Sequence, residues 1–256
     1  MAKTNNLTDF LTSLAAKFRA KLGTSGTINP QDFESKVDAV FDAGKKSEYD
    51  AFWDAYQSNG TRTDYYNAFA GKGWTQTNFK PKYTARPTEA RNMFAQNTAI
   101  TDLTLTGKFD FSAVTTITDC MAWSSVTKVP SINLSNARSS PHAIAKARSL
   151  VTVENLIFPT SPFAVNCSDF FYLCNALENI TITGTIQNTG FDLHWSTKLT
   201  VESLTSILTA LSKNSSVAAG KSITFPTAAQ AKIQADTTAK GQYDAAIAAG
   251  WTIAFS

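Results

Sequence analysis

Two histidines and a set of carboxylates are the residues of this chain whose types could carry chemistry. His142 and His194 are the only side chains suited to act as a base at neutral pH. Neither lies in a nucleophile or metal-ligand motif, and the sequence has no phosphate-binding loop, glycine-rich dinucleotide turn, HExxH or GxSxG. We therefore expect capping or surface roles for both histidines, with no catalytic residue, no cofactor and no metal site.

Six carboxylates in the middle of the chain keep one enzymatic alternative open. Hydrolysis of a glycan needs two positioned acids about 5 to 9 Å apart. Acids at turns more commonly cap short helices or face water, so the expectation remains that the protein is not an enzyme. The residues that could converge are Asp102, Asp110, Asp119, Glu154, Asp169 and Glu178.

Composition narrows the class of protein. The chain has 256 residues, is 43% hydrophobic and only 17% charged, which indicates a folded, sheet-rich or repeat protein. Its net charge of +3 is scattered along the chain, so we expect no nucleic-acid partner. No apolar run is long enough to span a membrane. The three cysteines have no CxxC spacing and are expected to be buried free thiols.

Helices are predicted to open the chain. An apolar stripe at three- and four-residue spacing predicts an amphipathic helix that packs on its own domain, on copies of itself or on a neighbouring protein. Asn29-Pro30 predicts the start of a second helix that Gly44 ends, and Ser47 to Asp50 predicts the start of a third that ends near Asn59-Gly60. The stripe consists of Leu7, Phe10, Leu11, Leu14, Phe18 and Leu22.

Aromatic residues and glycines alternate over residues 61–83. They could form a sugar-binding platform, but this pattern is more typical of rings that pack a seam. The rings belong to Tyr65, Tyr66, Phe69, Trp74, Phe79 and Tyr83.

A repeat begins at about residue 86. Four short segments share an apolar anchor, and the anchors Ile100, Val126, Leu150 and Leu177 are spaced by 26, 24 and 27 residues. A short helix or turn is predicted before each anchor, for example over the helix-like stretch from Asp119 to Trp123. Since one such unit cannot bury its apolar side alone, successive units must stack. The predicted core of the repeats consists of Ile100, Val126, Leu150, Cys174, Leu177 and Ile180.

The predicted fold class is α+β, with N-terminal helices, a short irregular leucine-rich-repeat-like α/β solenoid and a C-terminal strand-helix-strand cap. The tail prediction rests on a helix through Leu204 and Leu211, a strand over Ser222 to Phe225, a helix that stops at Gly250 and a final strand. The expected divisions are an attachment and oligomerisation helix (1–25), a small helical unit (26–85), the solenoid (86–198) and the capping unit (199–256).

The segment from Asp169 to Ile180 resembles the BspA-like leucine-rich repeat, whose consensus is Met-Phe-x-x-Cys-x-x-Leu-x-x-Ile. Cys174, Leu177 and Ile180 fall on the consensus positions, and Met93-Phe94 begins a second copy. The N-terminal Leu7 to Leu11, together with the flanks of the repeat, is similar to segments of phage tail, baseplate and fibre proteins.

This resemblance implies a structural component of a bacteriophage particle, assembled in the host cytoplasm. It would attach to other virion proteins through its N-terminal helices, form a homo-oligomer, with a trimer as the usual fibre arrangement, and display a surface for a host protein or glycan. The alternatives are a bacterial surface adhesin, which would need an export signal or anchor that we do not find, and a tail-associated glycan-degrading enzyme.

Overall fold

The computed structural model describes residues 5–22, 44, 48, 50–71, 73–104, 107–159, 166–187, 191, 193–214 and 221–256. Helices and strands are both present, so the predicted α+β class is confirmed. The chain divides into two compact units, Met1–Asn59 and Gly60–Ser256.

The first unit contains α1 (Asn5–Leu22) and α2 (residues 50–56), followed by a short 3-10 turn at Ser58–Gly60. Both helices were predicted. Neither glycine nor proline interrupts α1, and Arg19 and Lys21 lie in its last turn, where they favour the negative end of the helix dipole. Leu14 is half-buried. The side chains of Leu7, Phe10, Leu11, Phe18 and Leu22 lie outside what the structure describes, as does most of the predicted helix between Asn29 and Gly44.

The second unit is built on a parallel sheet. Its strands are β1 (Lys128–Val129), β2 (Ile132–Asn133), β3 (Thr152–Ile157) and β4 (Asn179–Thr183). β1 and β2 both pair with one edge of β3, and β4 pairs with the other. The register runs Asp102, Lys128, Thr152 and Asn179, so each partner lies 24 to 27 residues further along the chain.

A second parallel ladder runs through isolated bridges and links Asp64, Glu89, Thr116, Ser139 and Asn166 in that order. Its steps match those of the sheet. The sequence pattern predicts a period from about residue 86, whereas this ladder already includes Asp64. Each segment of the chain therefore lies beside the next at two separate positions.

The stretches between the two ladders are overlapping turns, so of the two structures predicted for them, a short helix or a turn, the turn is the one that forms. Between Ala90 and Asn97 three successive turns share residues. Alternate backbone N–H groups donate to carbonyls of the next segment instead of to carbonyls within their own segment. Asn92 N–H donates to the carbonyl of Thr118 at 3.0 Å, and Gln96 N–H donates to that of Ala122 at 2.9 Å. A helix would direct these groups to a carbonyl four residues back. Here the neighbouring segment offers an acceptor instead.

The core lies between the ladders. All six residues predicted for it are buried, namely Ile100, Val126, Leu150, Cys174, Leu177 and Ile180. At one end Phe69 contacts Phe79 and Phe94, with ring centroids 4.7 and 5.2 Å apart. Tyr65, Phe69 and Phe79 are buried, so packing is the correct interpretation for these aromatic residues.

The C-terminal part covers the edge of β4. α3 (Val201–Ser212) begins at the predicted cap Thr200, whose hydroxyl accepts from Ser203 N–H at 3.3 Å. The hydroxyls of Ser203 and Ser206 accept from the N–H groups of Ile180 and Ile182 at 2.9 and 2.7 Å. Strand edges with open donors invite pairing with other chains, and these serines satisfy two of those donors.

The remaining elements are β5 (Ser222–Phe225), α4 (Thr227–Ala235), α5 (Thr237–Ala248) and β6 (Thr252–Phe255), with β5 and β6 parallel. The predicted strands and the helix that stops at Gly250 are confirmed. The helix α4 was not predicted, so the tail is not a simple strand-helix-strand unit.

Candidate ligand-binding recess

Two positions of the turn stretches, four residues apart, adopt a left-handed backbone in every segment, and the first of them has the narrower range of φ. Asn67, Asn92, Asp119, His142 and Asp169 have φ between 51° and 54°. Asparagine, aspartate and histidine are the non-glycine residues that tolerate this conformation best. The backbone bonds Asn92 N–H to Thr118 O, Asp119 N–H to Pro141 O and His142 N–H to Ser168 O hold these residues in line at 3.0, 3.2 and 2.8 Å.

This alignment places an imidazole between two carboxylates. His142 Nδ1 lies 3.8 Å from Asp119 Oδ1, and Nε2 lies 3.3 Å from Asp169 Oδ2. A neutral imidazole has one N–H and can donate to one carboxylate at a time, whereas an imidazolium donates to both. The three side chains are 40 to 51% exposed. Exposed ion pairs stabilise a fold by no more than about 1 kcal/mol, so a ligand that replaces these contacts gives up little stability. The exposed side chains of the trio are therefore available to a ligand.

A line of aromatic and cationic side chains runs beside this trio. Its first three members follow the three residues of the trio by three or four positions in the sequence. We call Trp123, Lys146, Tyr172 and Trp195 the aromatic line. Lys146 Nζ lies 3.9 Å from the centre of the Trp123 ring and 5.8 Å from that of Tyr172. The rings of Tyr172 and Trp195 are 6.3 Å apart and almost perpendicular. Trp123 is 54% exposed, which is unusual for tryptophan.

The trio and the first three residues of the aromatic line enclose a recess of about 160 Å³. Ala122 and Ala145 also line it, and their short side chains leave room between the flanking rings. A larger hollow of about 420 Å³ lies beside α3 and the start of α5. Its lining has neither an aromatic nor a cationic side chain. The smaller recess therefore offers the richer chemistry.

The other candidates from the sequence lie elsewhere. His194 accepts or donates a hydrogen bond with Ser256 Oγ at 2.6 Å and contacts Trp195, at the far end of the aromatic line. Glu154 is exposed on β3. Asp102 pairs with Lys128, and Glu178 with Lys198, both at 3.9 Å.

Asp110 lies outside the recess and is held by local contacts. Its carboxylate accepts from Ser112 N–H at 3.0 Å and lies 3.3 Å from Arg86 Nε. The hydrogen bonds from Ser112, with a smaller contribution from Arg86, lower the pKa of this carboxyl.

The three cysteines are buried free thiols, as predicted. Burial raises the pKa of Cys120, and it raises that of Cys167 to about 12. Cys174 Sγ donates to the carbonyl of Ile144 at 3.2 Å. Thiols held in the protonated form are poor nucleophiles and poor metal ligands.

Within the residues that the structure describes, no group of three histidine, cysteine or acidic side chains is arranged to hold a metal ion. The same described residues contain no helix long and apolar enough to cross a membrane.

Sequence reasoning named half of this site. His142, Asp119 and Asp169 were candidates, and the structure brings them together. Lys146 and Tyr172 were not predicted as site residues, and Trp123 was taken only as part of a helix-like stretch. Aligning the sequence segments on Asp119, His142 and Asp169 could have found these three residues, because each follows one of those positions by three or four residues.

Comparison of the chain with protein-family models, with curated proteins and with solved structures gives no match.

Proposed function

We propose that this protein is a non-enzymatic structural and binding component of a bacteriophage particle. In this proposal residues 86–198 form a short solenoid of BspA-like leucine-rich repeats. The N-terminal helices attach the chain to other virion proteins and to copies of itself, and residues 199–256 cap the solenoid. The exposed side chains of the solenoid then bind a host protein or glycan.

The single observation that carries the proposal is the pair of parallel ladders. Both advance by about two dozen residues per step, and the turn stretches between them bond from each segment to the next. Stacked units of this kind present a continuous face along the stack, which suits binding of extended partners. The serine hydroxyls of α3 on β4 support a capping role, since the end of a stack must be covered.

The phage assignment rests on the similarity of the N-terminal segment and of the repeat flanks to phage tail and fibre proteins. It is tested by infecting the host, purifying intact particles and searching them for peptides of this chain by mass spectrometry. We expect the full-length chain in the particles and a variant that lacks residues 1–25 in the unassembled fraction. Incorporation of that truncated variant at the full-length level would contradict the attachment role of α1.

Oligomeric state provides a second measurement. We expect light scattering of the purified full-length chain to give a trimer and the variant without residues 1–25 to give a monomer. A full-length chain that is monomeric at all concentrations would contradict oligomerisation through α1.

A glycan-degrading enzyme is the second candidate, because Asp119 and Asp169 lie on either side of His142. Incubation of the purified protein with host capsule distinguishes the two functions. Released oligosaccharides that disappear in the Asp119→Asn and Asp169→Asn variants would favour the enzyme. We expect none.

A further inference from the structure

The aromatic line and the trio point to a ligand of one chemical class. We infer that the recess binds part of a neutral oligosaccharide, and that the sugar chain continues along the aromatic line towards Trp195. This inference rests on the proposed binding function and names its ligand.

The polar groups of the recess favour a neutral sugar. Asp119 and Asp169 supply acceptors, and the ammonium of Lys146 supplies donors. A sugar hydroxyl both donates and accepts, so neighbouring hydroxyls can satisfy both kinds of group at once. The carboxylate of an acidic sugar would meet two carboxylates against one ammonium, so the lining opposes an anionic sugar.

The aromatic residues supply the apolar contact that a sugar ring needs. Lys146 is held over the Trp123 ring at 3.9 Å, and this contact orients both side chains before a ligand arrives. More than half of Trp123 and 37% of Trp195 remain exposed. The C–H face of a pyranose can pack on the parts of these rings that Lys146 does not cover, while its hydroxyls reach the polar groups. Pre-oriented rings lose little conformational entropy on binding.

Spacing along the stack favours a chain over a single sugar. Trp123, Lys146 and Tyr172 belong to successive segments, joined by the bonds Trp123 N–H to Ala145 O and Lys146 N–H to Tyr172 O at 3.0 and 2.6 Å. Adjacent hydrogen-bonded segments lie about 4.8 Å apart, similar to the advance of an extended sugar chain per residue. An oligosaccharide along this axis therefore meets a new segment with each sugar.

Calorimetric titration of the full-length protein tests the inference. The probes are cellohexaose, maltohexaose and mannohexaose, their trisaccharides, a hexamer of galacturonate and a hexamer of glucosamine. We expect at least one neutral hexasaccharide to bind, more tightly than its trisaccharide and than either charged hexamer. Failure of all three neutral hexasaccharides to bind, tighter binding of a charged hexamer, or equal affinities for the trisaccharide and hexasaccharide would overturn the inference.

Three variants locate the site, each checked for native circular dichroism. Trp123→Ala should weaken binding of both lengths by about tenfold, the effect of losing one aromatic contact. Trp195→Ala should weaken binding of the hexasaccharide more than that of the trisaccharide. Tyr66→Ala is the matched control, since Tyr66 is 49% exposed and lies under Arg91 at 5.5 Å but outside the recess. Unchanged binding by a folded Trp123→Ala variant would refute the placement.

The two proposals can fail separately. If no sugar binds but the chain is found in purified particles, the inferred sugar site is refuted and the proposed structural role is supported.

Discussion

Asn97 ties three stretches of the chain together, and its replacement tests how much one buried amide contributes to stability. Its side chain is fully buried. Nδ2 donates to the carbonyls of Phe69 at 3.0 Å and Trp74 at 3.2 Å. Oδ1 accepts from the N–H groups of Ala99 and Ile100 at 3.0 and 2.8 Å. One amide thus satisfies four backbone groups in a place that the core shields from water.

Replacement of Asn97 by alanine removes all four bonds. The two N–H groups lose their acceptor, and a buried donor left without one costs about 1–3 kcal/mol. We therefore expect Asn97→Ala to lower the free energy of unfolding by about 3–4 kcal/mol. Asn97→Asp should be no better, because its second oxygen would face the two carbonyls to which Nδ2 donated.

The measurement is urea unfolding followed by far-ultraviolet circular dichroism. The matched control is Asn136→Ala, since Asn136 also donates from Nδ2 to a backbone carbonyl, that of Ser112 at 2.8 Å, but is exposed. Water replaces that bond, and we expect a loss below about 1 kcal/mol. Equal losses in Asn97→Ala and Asn136→Ala would refute the argument that burial makes Asn97 essential.

Three further predictions concern other parts of the second unit. Gly184→Ala should destabilise the protein by about 2 kcal/mol or more, because Gly184 has φ +92° and an added Cβ would collide with the carbonyl of Phe158. Gly241→Ala, inside α5, meets no neighbour and should stabilise the protein by about 0.5–1 kcal/mol. Thermal unfolding that ranks the two variants the other way would contradict this prediction. The lowered pKa of Asp110 means that its ionised form stabilises the fold above the unfolded pKa near 3.8 and that this contribution is lost as the pH falls through the lower folded value. The stability deficit of Asp110→Asn should then shrink below about pH 4, and a deficit that grows instead would show the sign to be wrong. Burial raises the pKa of Cys167 to about 12, and the other two cysteines are also buried. A thiol reagent at pH 8 should therefore label none of the three in the native protein and all three in urea. Rapid labelling of the native protein would contradict the buried placement.

Local patterns were sufficient for the elements whose apolar residues have a clear period. The helix α1, the cap at Thr200 and the strands β5 and β6 could be predicted because each depends on residues close together in the chain. The helix α4 was missed. Its sequence from Thr227 to Ala235 is rich in alanine and has only Ile233 as a large apolar residue, so periodicity gives little indication of it.

In the turn stretches, local composition leaves a choice between a helix and a turn. The segment from Asp119 to Trp123 has the composition of a short helix, but Met121 N–H donates to the carbonyl of Ala143 at 2.8 Å in the next segment. Only a neighbour already in place can supply that acceptor. The local composition of this segment is therefore compatible with either a helix or a turn. Contacts with residues about two dozen positions away in the sequence decide between them.

The sequence by itself determined that four apolar anchors spaced by 24 to 27 residues are buried, because a chain must hide such groups from water. Tertiary structure alone decided that Asp119, His142 and Asp169 meet, that Lys146 lies over Trp123 and that the Trp123 ring remains exposed. The physical reason is that neighbours in the recess are separated by 23 to 27 positions along the chain, and their distance in space is set by the register of the stack.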